Sequence, residues 1–434
     1  MVKINENFRK FEGESYLFKE IADRTAAFVL EHPDAKTDII RMGIGDVTEP
    51  LPRIITAAMA DAATRLSHRR GYPLSEIRKI VDPTKRKIRY LLHEAGLDRF
   101  NGYGAEQGNR LLREMISEVK YGGVYGADEI FVSDGAKCDS AAIQKIFSLD
   151  SRIALQCPAY PVYEGSNVIA GRTKKVNSAT GRFPGLIYLE CTPENDFFPD
   201  LSGVKADLLY ICSPNNPTGA AATTEQLEGA VRWAMQNGAI IIYDSAYESF
   251  ISEKGIPRSI YEINDAEKCA IEIGSFSKQF GFTGVRLGWT VVPKSLETEN
   301  TDKPANFTLN WAWNKRMCTE FNGANNVSQA AGIAALTPEG IEASQQILDF
   351  YMENAGIIRK ALEETGAPVF GGINAPYVWA RVGDDSWAYF QDMLERKYIV
   401  CTPGKGFGGE GYIRFSAFQS RENVEKAAER IRGL

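Results

Sequence analysis

Short runs of apolar residues alternate with amphipathic stretches over about half of this 434-residue chain. The apolar runs predict strands at 129–133, 152–156, 208–212, 239–243 and 269–273, and helical spacing predicts helices at 136–147 and 225–237. Strands that are apolar throughout and separated by helices are typical of a mainly parallel sheet covered on both faces. We therefore expect an α/β fold.

The two ends of the chain follow other patterns. Beyond residue 320, a long helix at 340–365 and short strands at 376–382 and 411–415 predict a second, α+β domain. Before the alternation, helices are predicted at 15–30 and 53–66, with a short strand at 39–44 between them. Two domains also suit the length of the chain, because one core stops growing at about 250–300 residues.

Residues 68–100 form a basic segment. Asp82 and Pro83 predict the start of a helix that ends at Gly96, with Leu92 on its apolar side. Such a helix can bind an anionic partner, but a solvated charged face over a packed apolar stripe is the more common arrangement. We assign the segment no function.

Composition excludes several classes of protein. The chain has 50 basic and 56 acidic residues, a net charge of -6, which gives no general attraction to nucleic acid or to anionic membranes. Seven scattered cysteines without a Cys-x-x-Cys pair, and three histidines outside any metal-ligand spacing, indicate a reducing compartment and no metal site. The sequence has no apolar run long enough to span a bilayer, and its N-terminus lacks the apolar core of a signal peptide. We expect a cytoplasmic enzyme or binding protein.

Lys278 follows the predicted strand 269–273, in the motif Ser-Phe-Ser-Lys, and a glycine-rich turn leads from it to Arg286. A lysine there can form an imine with a carbonyl cofactor, while the serines and the arginine supply donors for a phosphate. This is the outline of a pyridoxal-phosphate site. An ordinary surface lysine is the alternative from this segment alone, and Lys137 is the rival candidate for the imine.

Other strand ends carry groups that suit such a cofactor, and ligands of open α/β sheets bind beyond the carboxyl ends of the strands. Asp244 can pair with a protonated pyridine nitrogen. Asn215 and Tyr247 can hydrogen-bond the ring oxygen, and Tyr160 can stack on the ring or lie in the core. The interval from Asp244 to Lys278 has room for one crossover helix and the next strand.

Arg414 interrupts an apolar strand near the C-terminus. An arginine is costly to bury without a partner, so it is expected to meet a carboxylate. That carboxylate belongs either to a structural salt bridge or, as the isolation of Arg414 favours, to a substrate.

Four motifs together resemble the class I and II aminotransferases of fold-type I. They are Ser-Pro-Asn-Asn-Pro-Thr-Gly at 213–219, Tyr-Asp-Ser-Ala-Tyr at 243–247, Ser-Phe-Ser-Lys at 275–278 and the turn at Arg286. The resemblance implies pyridoxal 5'-phosphate as cofactor and a homodimer with shared active sites. It also implies a large domain with a mainly parallel seven-stranded sheet between helices, plus a smaller α+β domain.

The same resemblance implies a role for each matching residue. Lys278 would hold the cofactor as an imine and carry the proton from the substrate Cα, Asp244 would pair with the ring nitrogen, and Tyr160 would stack on the ring. The remaining cofactor contacts would come from Ala136, Lys137, Asn215, Tyr247, Ser275, Ser277 and Arg286, with Tyr103 of the partner subunit.

Further motifs resemble the LL-diaminopimelate aminotransferases within that family. They lie at 43–48, 102–108, 133–139, 321–324 and 414–418. The implied reaction is transamination of LL-2,6-diaminopimelate with 2-oxoglutarate, which gives tetrahydrodipicolinate and glutamate in lysine biosynthesis. The implied substrate contacts are Tyr16, Gly43, Lys137, Tyr160, Asn215 and Arg414, with Glu106 and Asn322 of the partner subunit.

A glutamate suits this substrate because diaminopimelate carries an ammonium at its far end. An aromatic or broad-specificity aminotransferase is the alternative. A non-catalytic regulator on the same fold is a third reading, although the sequence shows no added DNA-binding segment. We expect residues 1–50 to join the small domain, 51–315 to form the large domain with an insertion at about 68–100, and 316–434 to form the small domain.

Overall fold

The computed structural model describes residues 2–12, 16–177, 180–296 and 308–433. Its helices are α1 Leu17–Glu31, α2 Arg53–Arg65, α3 Leu74–Ile77, α4 Pro83–Glu94, α5 Arg110–Tyr121, α6 Ala136–Ala142, α7 Pro161–Ala170, α8 Thr224–Asn237, α9 Phe276–Gln279, α10 Leu309–Glu320, α11 Asn326–Ala335, α12 Pro338–Glu363, α13 Ser386–Lys397 and α14 Arg421–Arg432. Its strands are β1 Ile40–Arg41, β2 Ile130–Ser133, β3 Ile153–Cys157, β4 Leu186–Glu190, β5 Leu208–Cys212, β6 Ile240–Asp244, β7 Ala270–Ser275, β8 Gly288–Val291, β9 Val369–Gly371, β10 Tyr377–Arg381, β11 Ile399–Val400, β12 Thr402–Pro403 and β13 Tyr412–Ser416.

The central sheet has seven strands in the order β2-β8-β7-β6-β5-β3-β4. Strand β8 runs antiparallel to both neighbours, and the other pairs are parallel. Every residue of β2, β3, β5 and β7 is buried, as expected for strands covered on both faces. The predicted α/β fold with a mainly parallel seven-stranded sheet is confirmed.

The connection between β6 and β7 differs from the prediction. In place of a crossover α-helix, the described chain forms three short 3-10 turns, at Glu248–Phe250, Ile260–Glu262 and Ala266–Lys268. Gly255 and Pro257 interrupt this stretch, and neither residue suits a helix interior. Even so, β6 and β7 pair directly, so their carboxyl ends are neighbours.

A second sheet is antiparallel, in the order β12-β13-β10-β9, and the short strand β1 pairs with β11 beside it. Residues of the N-terminal segment, among them Leu17 and Ile40, share one core with Phe415 and Val424. Helix α11 packs instead with α2 and with residues of β2 and β8. The boundaries of the domains stay a prediction.

Most predicted elements agree with the structure within a few residues. Strand 208–212 is observed as predicted, and helix α8 begins at a capping box of Thr223 and Gln226. The predicted helix 136–147 ends early and continues as a 3-10 turn. The helix predicted at 15–30 is α1, and Ser15 lies outside the described residues.

The basic segment folds as a packed helix. Asp82 caps α4 by accepting a hydrogen bond from Lys85 N at 3.0 Å, and Leu92 is buried.

In the central sheet, strands β4 and β8 were not predicted. Among the helices described here, none is long and apolar enough to cross a membrane.

Candidate active site

Lys278 lies at the end of β7, where the chain turns into α9. The Ser275 side chain begins that turn by accepting a hydrogen bond from Ser277 N at 3.1 Å. The Lys278 ammonium donates to the carbonyl of Gly45. Burial lowers the pKa of Lys278 to about 8, although Asp46 opposes the shift. A lysine with this pKa is in part neutral near physiological pH, as an attacking amine must be.

Asp244 ends the neighbouring strand β6 and is buried. Its carboxylate accepts hydrogen bonds from Tyr163 Oη at 2.8 Å, Ala246 N at 3.0 Å and Ser140 Oγ at 3.5 Å. These contacts, all neutral donors in the described chain, oppose the burial that raises the pKa of Asp244. A buried carboxylate with neutral partners only is suited to receive a cation.

Asn215 lies after β5 and is fully buried. Its amide Nδ2 donates to Pro158 O at 3.1 Å and to Thr218 Oγ1 at 3.0 Å. Its Oδ1 is buried without a hydrogen-bond partner among the described residues. Unpaired buried polar atoms are rare in folded proteins, so this oxygen marks a place where a further group can bind.

Two tyrosines lie next to these groups. Tyr247 is buried, and its hydroxyl shares a hydrogen bond of 2.8 Å with Tyr377. Tyr160 precedes α7, and its ring centre lies 5.9 Å from that of Tyr163 in an edge-to-face contact. Burial raises the pKa of both Tyr160 and Tyr247, so both hydroxyls stay protonated at neutral pH.

Arg286 and Ser277 form a cradle against the turn that precedes α6. Arg286 donates from Nη1 to Ser277 Oγ at 3.3 Å and to Thr283 O at 3.1 Å. A Cβ added at Gly135 would lie 2.6 Å from Arg286 Nη2, so only glycine leaves room for the guanidinium there. The cradle offers hydroxyl and guanidinium donors in one place, which suits a phosphate. Ala136 follows this turn directly.

Lys137 is exposed, one residue after Ala136. Its ammonium lies 5.6 Å from the centre of the Tyr16 ring. The structure thus brings these two predicted substrate contacts together. Lys278 is half-buried at the end of β7, which pairs with the strand that ends at Asp244, whereas Lys137 is exposed. Lys278 is therefore the better placed for the imine.

Arg414 is fully buried on β13. It donates to Asn216 Oδ1 at 2.5 Å and to the carbonyl of Gly43 at 2.6 Å, and its Nε is buried without a partner. In the described ranges its hydrogen-bond partners are all uncharged, the third being the Thr402 hydroxyl at 3.5 Å. The structural salt bridge weighed for Arg414 is therefore wrong within those ranges. A buried guanidinium without a counter-ion suits a carboxylate ligand.

Three further predicted residues lie on the surface, apart from the side chains described above: Tyr103, Glu106 and Asn322. Tyr103 is 85% exposed, and Glu106 and Asn322 are exposed as well. Their loops touch: Asn326 donates to Gly102 O at 3.2 Å. Together these loops line one open groove. Tyr103 and Asn322 both line this groove, and Glu106 follows Tyr103 on the same exposed loop.

The buried groups fit pyridoxal phosphate. The described residues supply a partly neutral lysine, a carboxylate without a cation among them, an amide oxygen that none of them pairs, and a phosphate cradle. Sequence reasoning missed Tyr163 and Asn216. Tyr163 could have been found, because it lies one helical turn after Tyr160 in α7. No local signal pairs Asn216 with Arg414, 198 residues away.

Comparisons with known proteins agree with this geometry. The family model "Aminotransferase class I and II" matches residues 83–431. The chain is 47% identical to the chloroplastic LL-diaminopimelate aminotransferase of Arabidopsis thaliana, over 100% of this chain and 87% of that relative. It is 44% identical to the LL-diaminopimelate aminotransferase of Protochlamydia amoebophila, over 100% and 97%. The solved L,L-diaminopimelate aminotransferase of Chlamydomonas reinhardtii is 47% identical, with a TM-score of 0.87 over 100% of this chain and 98% of that one.

Proposed function

The chain belongs to the class I and II aminotransferases, and from that premise we propose that it transfers an amino group between LL-2,6-diaminopimelate and 2-oxoglutarate. Its cofactor is pyridoxal 5'-phosphate, and its products are tetrahydrodipicolinate and glutamate. The observation that carries the proposal is the half-buried Lys278 at the end of β7, beside a strand end whose carboxylate has only neutral partners in the described chain.

The bound cofactor supplies an electron-withdrawing ring that stabilises negative charge at the substrate Cα. Asp244 would hold the ring nitrogen, and the hydrogen bond that Tyr163 donates to it favours the ionised carboxylate, against the burial that raises its pKa. Asn215 and Tyr247 would hold the ring oxygen. Lys278 Nζ would take the proton from the substrate Cα and return it, which requires the neutral amine that its lowered pKa provides.

The phosphate would be held by Ser275, Ser277, Arg286 and the turn at Ala136 and Lys137. Tyr160 would stack on the ring. In this arrangement the chain fixes the cofactor from several elements at once, so that Lys278 is held at one position relative to the substrate.

The α-carboxylate of the substrate would bind Arg414, whose guanidinium is buried and meets no charged partner in the part of the chain that the structure describes. Gly43, Tyr16 and Lys137 would line the path to it. A planar guanidinium fits a carboxylate through two parallel hydrogen bonds. This subsite selects for an amino or oxo acid and does not read the far end of the substrate.

We place the far-end subsite at Tyr103, Glu106 and Asn322, acting on the site of the second subunit of a homodimer. Their exposure in a single chain supports this assignment, as does the groove that their loops form. We also place the protein in the cytoplasm, which the free cysteines support, whereas the Arabidopsis relative is described as chloroplastic.

A panel of amino donors tests the proposal. Purified protein with cofactor and 2-oxoglutarate is offered LL-diaminopimelate, meso-diaminopimelate, phenylalanine and aspartate, and glutamate and tetrahydrodipicolinate are measured. We expect the highest kcat/KM with LL-diaminopimelate. A higher kcat/KM with phenylalanine or aspartate would establish the broad-specificity alternative instead.

A further inference from the structure

A buried carboxylate lies directly behind the turn Gly135–Lys137. Asp139, on α6, is 1% exposed. Its Oδ2 accepts hydrogen bonds from Ser133 Oγ at 2.6 Å and from Thr290 Oγ1 at 2.8 Å. Its Oδ1 is buried with no partner in the described part of the chain. Burying a carboxylate with one unpaired oxygen costs free energy, so the position of Asp139 needs a structural or functional explanation.

Ser133 connects this carboxylate to the turn. Because its hydroxyl proton is engaged by Asp139, the Ser133 oxygen faces the turn as an acceptor, and Gly135 N donates to it at 3.3 Å. The relay therefore runs from the Asp139 carboxylate through one hydroxyl to the backbone of the turn. Charge-assisted hydrogen bonds are roughly twice as strong as neutral ones, which favours a carboxylate at the end of the relay.

The opposite side of the turn is held by β8. A Cβ on Gly288 would lie 2.6 Å from the Cα of Gly135, so the two glycine backbones are in contact. Thr290 on the same strand donates to Asp139. Asp139 thus joins the end of β2, helix α6 and strand β8 around Gly135, the residue against which Arg286 packs.

We propose that Asp139 is a positioning residue for the cofactor phosphate: acting through Ser133, it holds the turn Gly135–Lys137 against Arg286 and so raises the affinity of the chain for pyridoxal phosphate. The inference rests on the proposed function. Burial raises the pKa of Asp139 to about 6, so the carboxylate is ionised at neutral pH and its hydrogen bonds are charge-assisted.

The test measures binding of pyridoxal phosphate to cofactor-free protein, by absorbance titration and by the rate of cofactor release. Asp139→Ala leaves Ser133 without its acceptor, and we expect the Kd to rise about 10-fold or more. Asp139→Asn keeps an oxygen that can accept from Ser133 and Thr290, and it should restore most of the affinity.

Two further variants follow the relay. Ser133→Ala should weaken cofactor binding as much as Asp139→Ala does. The double variant should be no weaker than either single variant, because residues that act in series give non-additive losses. Thr290→Val removes the link from Asp139 to β8 but leaves the path through Ser133 to Gly135, so we expect the Kd to rise less than in Asp139→Ala, and an equal rise would contradict the relay through Ser133.

Urea unfolding of each cofactor-free variant separates fold stability from cofactor affinity. Wild-type affinity in Asp139→Ala, or additive losses in the double variant, would overturn the inference. If Asp139→Ala does not fold, Ser133→Ala decides, since wild-type affinity there also overturns it. If the wild-type protein itself binds no cofactor, the proposed function fails and this inference fails with it.

Discussion

The strand ends and the surface loops present their functional side chains in opposite ways. At the ends of β5, β6 and β7, Asn215, Asp244 and Lys278 are enclosed and held by hydrogen bonds. On the loops at 102–108 and 321–327, Tyr103, Glu106 and Asn322 face solvent in the single chain. The side chains proposed for the chemistry are thus positioned within one chain. Those proposed for the far end of the substrate are exposed on its surface.

The difference has an electrostatic reason. Burial lowers the pKa of Lys278, which favours the neutral amine, and raises that of Asp244, whose charged form is favoured by the hydrogen bonds that it accepts. An exposed carboxylate such as Glu106 is screened by water, so it attracts an ammonium only weakly until another surface covers it. We expect substitutions in the two regions to affect different kinetic constants.

The largest effect should come from Lys278→Ala. Removing the amine that moves the Cα proton should lower kcat by about 10⁴-fold or more, and the absorbance of the lysine-bound cofactor should disappear. Lys137→Ala is the matched control, and it should retain that absorbance. If the absorbance survives in Lys278→Ala and is lost in Lys137→Ala, the assignment of the lysine is reversed.

Arg414→Lys should have the next largest effect. An ammonium cannot form two parallel hydrogen bonds to a carboxylate, so we expect kcat/KM to fall about 100-fold for every amino and oxo acid tested. Arg381→Lys, an exposed arginine on the neighbouring strand β10, should behave like the wild type. A loss of kcat/KM confined to diaminopimelate would mean that Arg414 binds the far end of the substrate instead.

Tyr163→Phe should lower kcat about 10-fold, because the buried Asp244 carboxylate loses a donor and pairs less well with a cation. The pH dependence of the absorbance of the bound cofactor should shift at the same time, while KM changes little. Tyr210→Phe is the control: the Tyr210 ring stacks on that of Tyr163 with centres 5.2 Å apart, but its hydroxyl is not among the donors to Asp244 in the described chain. Equal effects of both variants would indicate a packing role only.

Glu106→Gln should act on the substrate preference alone. We expect kcat/KM for LL-diaminopimelate to fall about 5-fold, in the range measured for solvent-accessible ion pairs, while that for 2-oxoglutarate stays unchanged. Glu114→Gln, an exposed glutamate on α5, controls for the change of surface charge. An equal loss with both substrates would remove Glu106 from the far-end subsite.

The smallest effect concerns the stability of the cofactor-free protein. The pKa of Lys278 is about 8 in the fold against an ordinary lysine pKa of 10.5, so between these values the unfolded chain binds more protons than the folded one. Stability should therefore rise with pH from about 8 to 10.5, by about 1 kcal/mol or more. Urea titrations should show a flatter profile for Lys278→Met, and an identical profile would contradict the buried, perturbed lysine.

The strands that lead to Asn215, Asp244 and Lys278 were predicted from the sequence better than the elements that surround them. The strands that end at Cys212, Asp244 and Ser275 were found because continuous apolar runs and turn residues are local signals. Strands β4 and β8 were missed: β4 is an edge strand that is only partly buried, and β8 has four residues and begins at Gly288, so neither has the pattern of a long, fully buried apolar run. The missing crossover helix shows the same limit, since an interval with room for a helix need not contain one.

Contacts between distant segments were also beyond the sequence. The partners of Arg414, Asn216 and Gly43, are 198 and 371 residues away, and only the fold brings them together. By contrast, the roles assigned to Tyr103, Glu106 and Asn322 came from motif resemblance. They remain predictions, because the structure describes a single chain and these side chains lie exposed on it.

The segment that follows β1 acts as an internal ligand. The carbonyl of Gly45 accepts from Lys278 and that of Gly43 accepts from Arg414, while Tyr351 anchors the segment by accepting from Thr48 N at 2.8 Å. The protein's own backbone is thus a hydrogen-bond acceptor for both cations. A carboxylate that displaced the Gly43 carbonyl from Arg414 would have a measured affinity equal to the difference between two bound states of the same guanidinium.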